Sequence, residues 1–279
     1  SLVFVGGLPL DEALDLAAAD DGARLGDELE RIGYAGESPC PATSMPHACV
    51  ELHIEQGPIL EAEDITIGVV EGVQGISWTE VTIIGQSAHA GTTPMHLRHD
   101  PAYCAAAIAT YVRDLTQHLG ADQVGTVGRI DVYPNLVNVV PARVVLTVDL
   151  RNTNELILEE AEARLAAYLE ELAEIAGVEI STTALSRFEP VDFDPAMVDL
   201  VERTGRRLGY TTRRMSSGAG HDAQMLARVC PTAMVFTPSV NGLSHNIAEF
   251  THAADIEAGA NVLLQVAIDL LTTGRATES

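Results

Sequence analysis

The chain has no lysine: its 16 basic residues are all arginine. That absence removes Schiff-base catalysis, a pyridoxal-phosphate lysine and the lysine of a Walker loop together. Long apolar runs are missing too. Nothing approaches the ~20 consecutive apolar residues that span a bilayer, and the opening Ser1-Leu2-Val3-Phe4-Val5 has neither the basic start nor the length of a signal peptide. The expectation is a cytoplasmic protein without a membrane partner. Cysteine is scarce. Cys40, Cys49, Cys104 and Cys230 form no C-x-x-C pair, which suggests neither a thiolate zinc site nor a disulfide framework, only buried free thiols. G-x-S-x-G and H-E-x-x-H are also absent, which argues against a serine hydrolase of the α/β type and leaves metal chemistry or none.

What the chain has in excess is acid. Against 16 basic residues stand 40 acidic ones, for a net charge of −24. Such a surface repels a phosphate backbone, so nucleic acid is not an expected partner, and an anionic small substrate would need a local arginine. The 279 residues, 47% hydrophobic, suffice for a buried core in one large domain or two ordinary ones. The opening apolar residues read as a strand, and the first residue is Ser rather than Met, which points to a native start upstream.

Periodicity divides the chain. Helical spacing over residues 10–17 and 25–32 is followed by a Pro- and Ser-rich loop over 37–46, a strand over 49–54 and another over 65–70. The middle reads strand 76–84, helix 101–119, strand 124–132, strand 143–150, helix 155–176, strand 178–184. This β-α-β-β-α-β order is that of a ferredoxin-like module, two helices covering one face of a four-stranded antiparallel sheet. Alternation then resumes with helix 195–208, strand 211–214, a helix after His221-Asp222, strand 232–236 and helix 253–271. The fold class expected is α/β, a discontinuous domain of residues 1–73 and 188–279 interrupted by a ferredoxin-like α+β domain of residues 74–187.

The candidate chemistry lies at strand ends and loops. His53 closes a strand in ELHIEQG, where α/β proteins place their sites, although a lone His is as readily a core or surface residue. Ser87-Ala88-His89-Ala90-Gly91-Thr92-Thr93-Pro94-Met95 leads to Arg98 and Asp100; Asp100 before Pro101 is a good N-cap and N1 pair, which leaves His89 unexplained. Asn138 either supports a turn or binds a ligand, and Arg151 at a strand end either pairs locally or forks a carboxylate. Ser217-Gly218-Ala219-Gly220-His221-Asp222-Ala223 imitates a dinucleotide fingerprint, but residues 213–216 do not read as a buried parallel strand and no acid follows at residues 238–243 to hold a ribose. A turn into a helix N-terminus, with backbone N–H groups that can meet an anion, is the better reading. His245 and Glu249 close the series in SHNIAEF.

In this order, ELHIEQGPILE, GQSAHAGTTPM with Arg98 and Asp100, NLVNVVPARVVLTVDLR, SGAGHDA and SHNIAEF resemble the N-carbamoyl-L-amino-acid hydrolase and allantoate amidohydrolase family over nearly the whole chain. The resemblance implies metal-assisted hydrolysis of a small ureido substrate at two divalent ions, zinc or manganese. It implies His53 and His245 as ligands of different ions, and His89, contributed by the partner subunit of a homodimer, as the group polarising the scissile carbonyl. Gln56, Asn138, Arg151, Gly218 and Ala219 are its substrate-binding candidates, the inserted domain being both dimer interface and lid. The chain departs from the family pattern in lacking the His-x-Asp segment, the bridging Asp and the Glu-Glu pair upstream of ELHIEQG. The expectation is therefore an inactive C-terminal portion of an active hydrolase, the alternative being a non-catalytic dimerising or small-molecule-binding remnant.

Overall fold

The computed structural model describes residues 1–18, 20–120 and 122–274. In chain order the longer elements are β1 (Cys49–Ile54), β2 (Ile67–Val73), β3 (Gly75–Ile84), α1 (Pro101–Leu119), β4 (Val124–Tyr133), β5 (Arg143–Asn152), α2 (Glu155–Ala176), β6 (Glu179–Phe188), α3 (Pro195–Arg207), β7 (Thr212–Ser217), β8 (Thr232–Thr237) and α4 (Ala253–Gly274). The chain divides into two compact units, residues 1–73 with 192–279, and residues 74–191. Among the described residues no helix is long and apolar enough to cross a membrane.

In the first unit the strands run β1-β8-β2-β7. β1 is parallel to β8, β8 antiparallel to β2, and β7 parallel to β2. All six residues of β8 are buried, as expected of an interior strand, and α3 and α4 pack on it. Asp194 caps α3 by accepting from Met197 N–H at 2.9 Å, with Pro195 at the first helical position. Because β1 and β8 are parallel, their carboxyl ends open on the same side, where a mixed sheet places ligand-binding loops.

The second unit is an antiparallel sheet ordered β4-β5-β3-β6, with α1 and α2 packed against it. Strand alternation decides the faces. Val81, Ile83, Val144, Leu146, Val148 and Leu150 turn inward with Ile108, Val112, Leu158 and Leu165 from the helices into one core; each such side chain contributes roughly 1.5–3 kcal/mol on burial. Asp100 caps α1 through Ala102 and Tyr103 N–H, which accounts for that residue without chemistry.

One expectation fails locally. The opening apolar residues form no strand: Val5, Gly6 and Gly7 N–H bond back to Ser1, Val3 and Leu2, so the run closes on itself instead of joining a ladder. Residues 213–216 lie in the parallel strand β7, at the strand expected over 211–214, and none of them is buried. Its arginines sit at the sheet edge, Arg213 paired with Glu63 and Arg214 with Glu71, Asp199 and Glu202, so an exposed edge strand lacks the apolar run that a buried one shows.

Candidate active site

His53 stands one residue before the end of β1, and its Nδ1 lies 2.8 Å from Ile54 O. A carbonyl oxygen only accepts, so Nδ1 carries the proton and Nε2 keeps its lone pair, the state a metal-binding imidazole needs. Beyond it, Glu55 is not a site residue: its buried carboxylate accepts from Ile59 and Leu60 N–H, both at 2.9 Å, capping the short helix Ile59–Ala62.

The loop after β8 is tied to the turn after β1 at several points. Gln56 N–H donates to Ser239 Oγ at 2.9 Å and Gln56 Nε2 to Ser244 Oγ at 3.0 Å. Asn241 N–H donates to Glu61 at 2.7 Å. Gly242 lies so close to Pro58 that a Cβ there would meet Pro58 N, Cβ and Cα at 2.7–2.9 Å. Residues 53 and 245, far apart in sequence, thus flank one junction of two loops. Gln56 (φ 56°) and His245 (φ 54°) both adopt left-handed backbone, which costs a non-glycine residue roughly 1–2 kcal/mol and concentrates at functional positions. His245 is exposed, and its N–H donates to Glu249 at 2.8 Å, so Glu249 organises the loop.

The residue that sequence reasoning missed is His221. Its ring lies edge-on to His53, centroids 4.7 Å apart, with its side chain 2% exposed. Ser217 Oγ is 2.7 Å from its Nε2 and Glu51 3.7 Å from its Nδ1. Burial, followed by the neighbouring His53, pushes its pKa down to about 4 against an opposing contribution from Asp222, so the ring is neutral at pH 7. This Ser-His-Glu order imitates a nucleophile relay, but Ser217 is 1% exposed and its hydroxyl is closed by the backbone of Ala219. Its part is to fix the ring. At the N-terminus of the short helix Asp222–Leu226, Glu51 accepts from Ala223 N–H at 2.7 Å. Within SGAGHDA the usable signal is the histidine rather than the glycine spacing.

In the second unit, Ala88–His89 pairs with Val139–Val140, and Ala90 N–H donates to Asn138 O at 3.0 Å. His89 and Asn138 are brought side by side, both exposed. Arg151 is held by Asp149, which accepts from Nε and Nη2 at 2.6–3.1 Å, and its guanidinium carbon lies 5.9 Å over the Trp78 ring. Both contacts fix the fork in place. Cys49, half-buried, has its thiol pushed up to about 11 by burial, which makes it a poor nucleophile at neutral pH.

Among the described residues no group of three or more His, Cys, Asp or Glu converges to hold an ion. A catalytic zinc takes three protein ligands. The donors of this chain therefore do not fit a dinuclear centre by themselves.

Residues 22–269 are similar to Peptidase family M20/M25/M40. An N-carbamoyl-L-amino-acid amidohydrolase of Rhizobium meliloti is 43% identical over 249 residues, 89% of this chain and 60% of that one. An allantoate amidohydrolase of Escherichia coli (strain K12) is 38% identical over 238 residues, 85% of this chain and 58% of that one. Among solved structures, an amidase of the hydantoinase/carbamoylase family from Burkholderia multivorans superposes with a TM-score of 0.89 at 45% identity, covering 96% of this chain and 65% of that one. The chain spans about three-fifths of the length of the curated relatives it matches.

Proposed function

Because the chain belongs to Peptidase family M20/M25/M40, we propose that it is part of a hydrolase cleaving a C–N bond of a linear ureido compound such as an N-carbamoyl-L-amino acid or allantoate. In this reading His53 and His245 each contribute one ligand to a pair of zinc or manganese ions whose remaining ligands these residues do not supply. The observation that supports the reading most is the stitching of the turn after β1, which follows His53, to the loop after β8, which carries His245, together with the Nδ1 of His53 facing Ile54 O.

The rest of the reading assigns roles by chemistry. Arg151, braced by Asp149, forks the substrate carboxylate. Gln56, Asn138, Gly218 and Ala219 are the substrate-binding candidates for the ureido group. His221, neutral and wedged against His53, adds a polar wall. His89, supplied by a second copy of the chain, donates to the scissile carbonyl. β4 and β6 are the edges of the second sheet, and edge strands are natural places for two copies to pair.

A panel of N-carbamoyl-L-amino acids and allantoate, assayed with added zinc or manganese, tests the proposal. The product of the complete reading frame encoding this chain is expected to turn over at least one of them and to sediment as a dimer. The chain alone is expected to turn over none. Turnover by the chain alone, or inactivity of the complete product on every ureido compound, would contradict it.

A further inference from the structure

The loop that carries His89 is built more tightly than an exposed loop requires. Gly91 N–H lies 3.0 Å and Thr92 N–H 3.3 Å from His89 Nδ1. A backbone N–H can only donate, so Nδ1 is the acceptor and, in the neutral ring, the proton sits on Nε2. This is the opposite tautomer to His53, whose Nδ1 faces a carbonyl. Gly91 eases the closeness: a Cβ there would come within 3.3 Å of His89 Cε1, so that the ring would have to give by a few tenths of an ångström. Arg98 closes the loop from the other side, its Nε donating to Thr93 O at 3.0 Å and its Nη2 to Ala90 O at 2.6 Å. These carbonyls flank the two donating amides, so one guanidinium spans the segment that presents them. Thr93 N–H returns to His89 O at 3.2 Å, completing the turn.

We propose that Gly91 and Arg98 are positioning residues that lock His89 as its Nε2–H tautomer, making the ring a neutral hydrogen-bond donor toward an electron-rich oxygen rather than a general base. The role as donor to a ureido carbonyl rests on the hydrolase reading; the locked tautomer does not. A base must offer a lone pair, and the lone pair of this ring is already occupied by two amides. A donor must keep its N–H in place before the substrate arrives, because ordering it afterwards would subtract from transition-state stabilisation.

The test is nuclear magnetic resonance on the whole chain with ¹⁵N-labelled histidine at about pH 8, above the ordinary histidine range, the His89 signals being identified by their loss in His89→Gln. Expected are a pyridine-like Nδ1 and a pyrrole-like Nε2, with Gly91 and Thr92 amides exchanging about tenfold more slowly than unbonded loop amides, as an ordinary hydrogen bond provides. In Gly91→Ala and in Arg98→Met the ring shifts should relax toward tautomer-averaged values and the protection should vanish, while the His221 signals stay unchanged and so report an intact fold. A protonated Nδ1 in the unaltered chain, or signatures that neither variant moves, would overturn the proposal. None of these readouts involves turnover, so a locked tautomer in this chain, found together with a complete reading-frame product that cleaves no ureido compound, would sink the hydrolase reading alone.

Discussion

Replacing Gly242 with alanine is expected to cost about 2–4 kcal/mol of folding stability, the left-handed backbone contributing roughly 1–2 and the overpacking the remainder. Gly242 has φ +61°, and its missing Cβ would sit 2.7–2.9 Å from the backbone and ring of Pro58. A flexible side chain could swing away. The backbone of Pro58 cannot, because it lies between Gln56, anchored on Ser239 and Ser244, and the helix capped by Glu55. Relief requires the loop carrying His245 to lift off the turn that follows His53. Gly209 supplies the control, since it is also left-handed (φ +87°) but a Cβ there would meet nothing within 4 Å. Urea denaturation should therefore show Gly209→Ala losing only the conformational part. Equal losses in the two variants would mean that the junction is not packed as described.

The second large effect is on acid stability. His221 is buried and neutral, its pKa moved from 6.5 to about 4, whereas in the unfolded chain it titrates near the ordinary value. Between those limits the unfolded state binds more protons than the folded one, so stability falls as pH falls. The contribution is intact above about pH 6.5, declines through the interval and is fully lost below about pH 4. Allowing for partial solvent screening, the loss attributable to this group is on the order of 2 kcal/mol. His221→Gln, measured in chelator to exclude metal, should lack that part of the acid limb. Parallel pH profiles for the two proteins would show that the ring is solvated or charged in the native state.

Much of the architecture was legible because it is written locally. The β-α-β-β-α-β order follows from the alternation in β3 and β5 and from the helical spacing of α1 and α2, and the start of α1 from Asp100-Pro101. The candidate site was legible only in part. His53 and Arg151 could be placed at strand ends by counting, but the carboxylate that meets the turn after Ser217 is Glu51, 172 residues away from the Ala223 amide it accepts, and no local pattern encodes that pair. His221 escaped for the same reason: its significance lies in a neighbour on another strand. Nor does sequence announce left-handed backbone at Gln56 and His245, since bulky residues occupy it only when tertiary contacts impose it. The edge strand β7 was legible as a strand, but not the pairing of its arginines, whose acids come from three other segments.

The proposed convergence of residues 53 and 245 is most directly tested by a double-mutant cycle on zinc binding to the product of the complete reading frame encoding this chain, followed as its metal-induced gain in stability with His53→Ala, His245→Ala and the double variant. Imidazoles that each hold one ion of a coupled pair should each, when removed, abolish most of the gain, with little further loss in the double variant. Independent, additive losses, or a gain that survives both substitutions, would place the two side chains in separate environments and contradict the account.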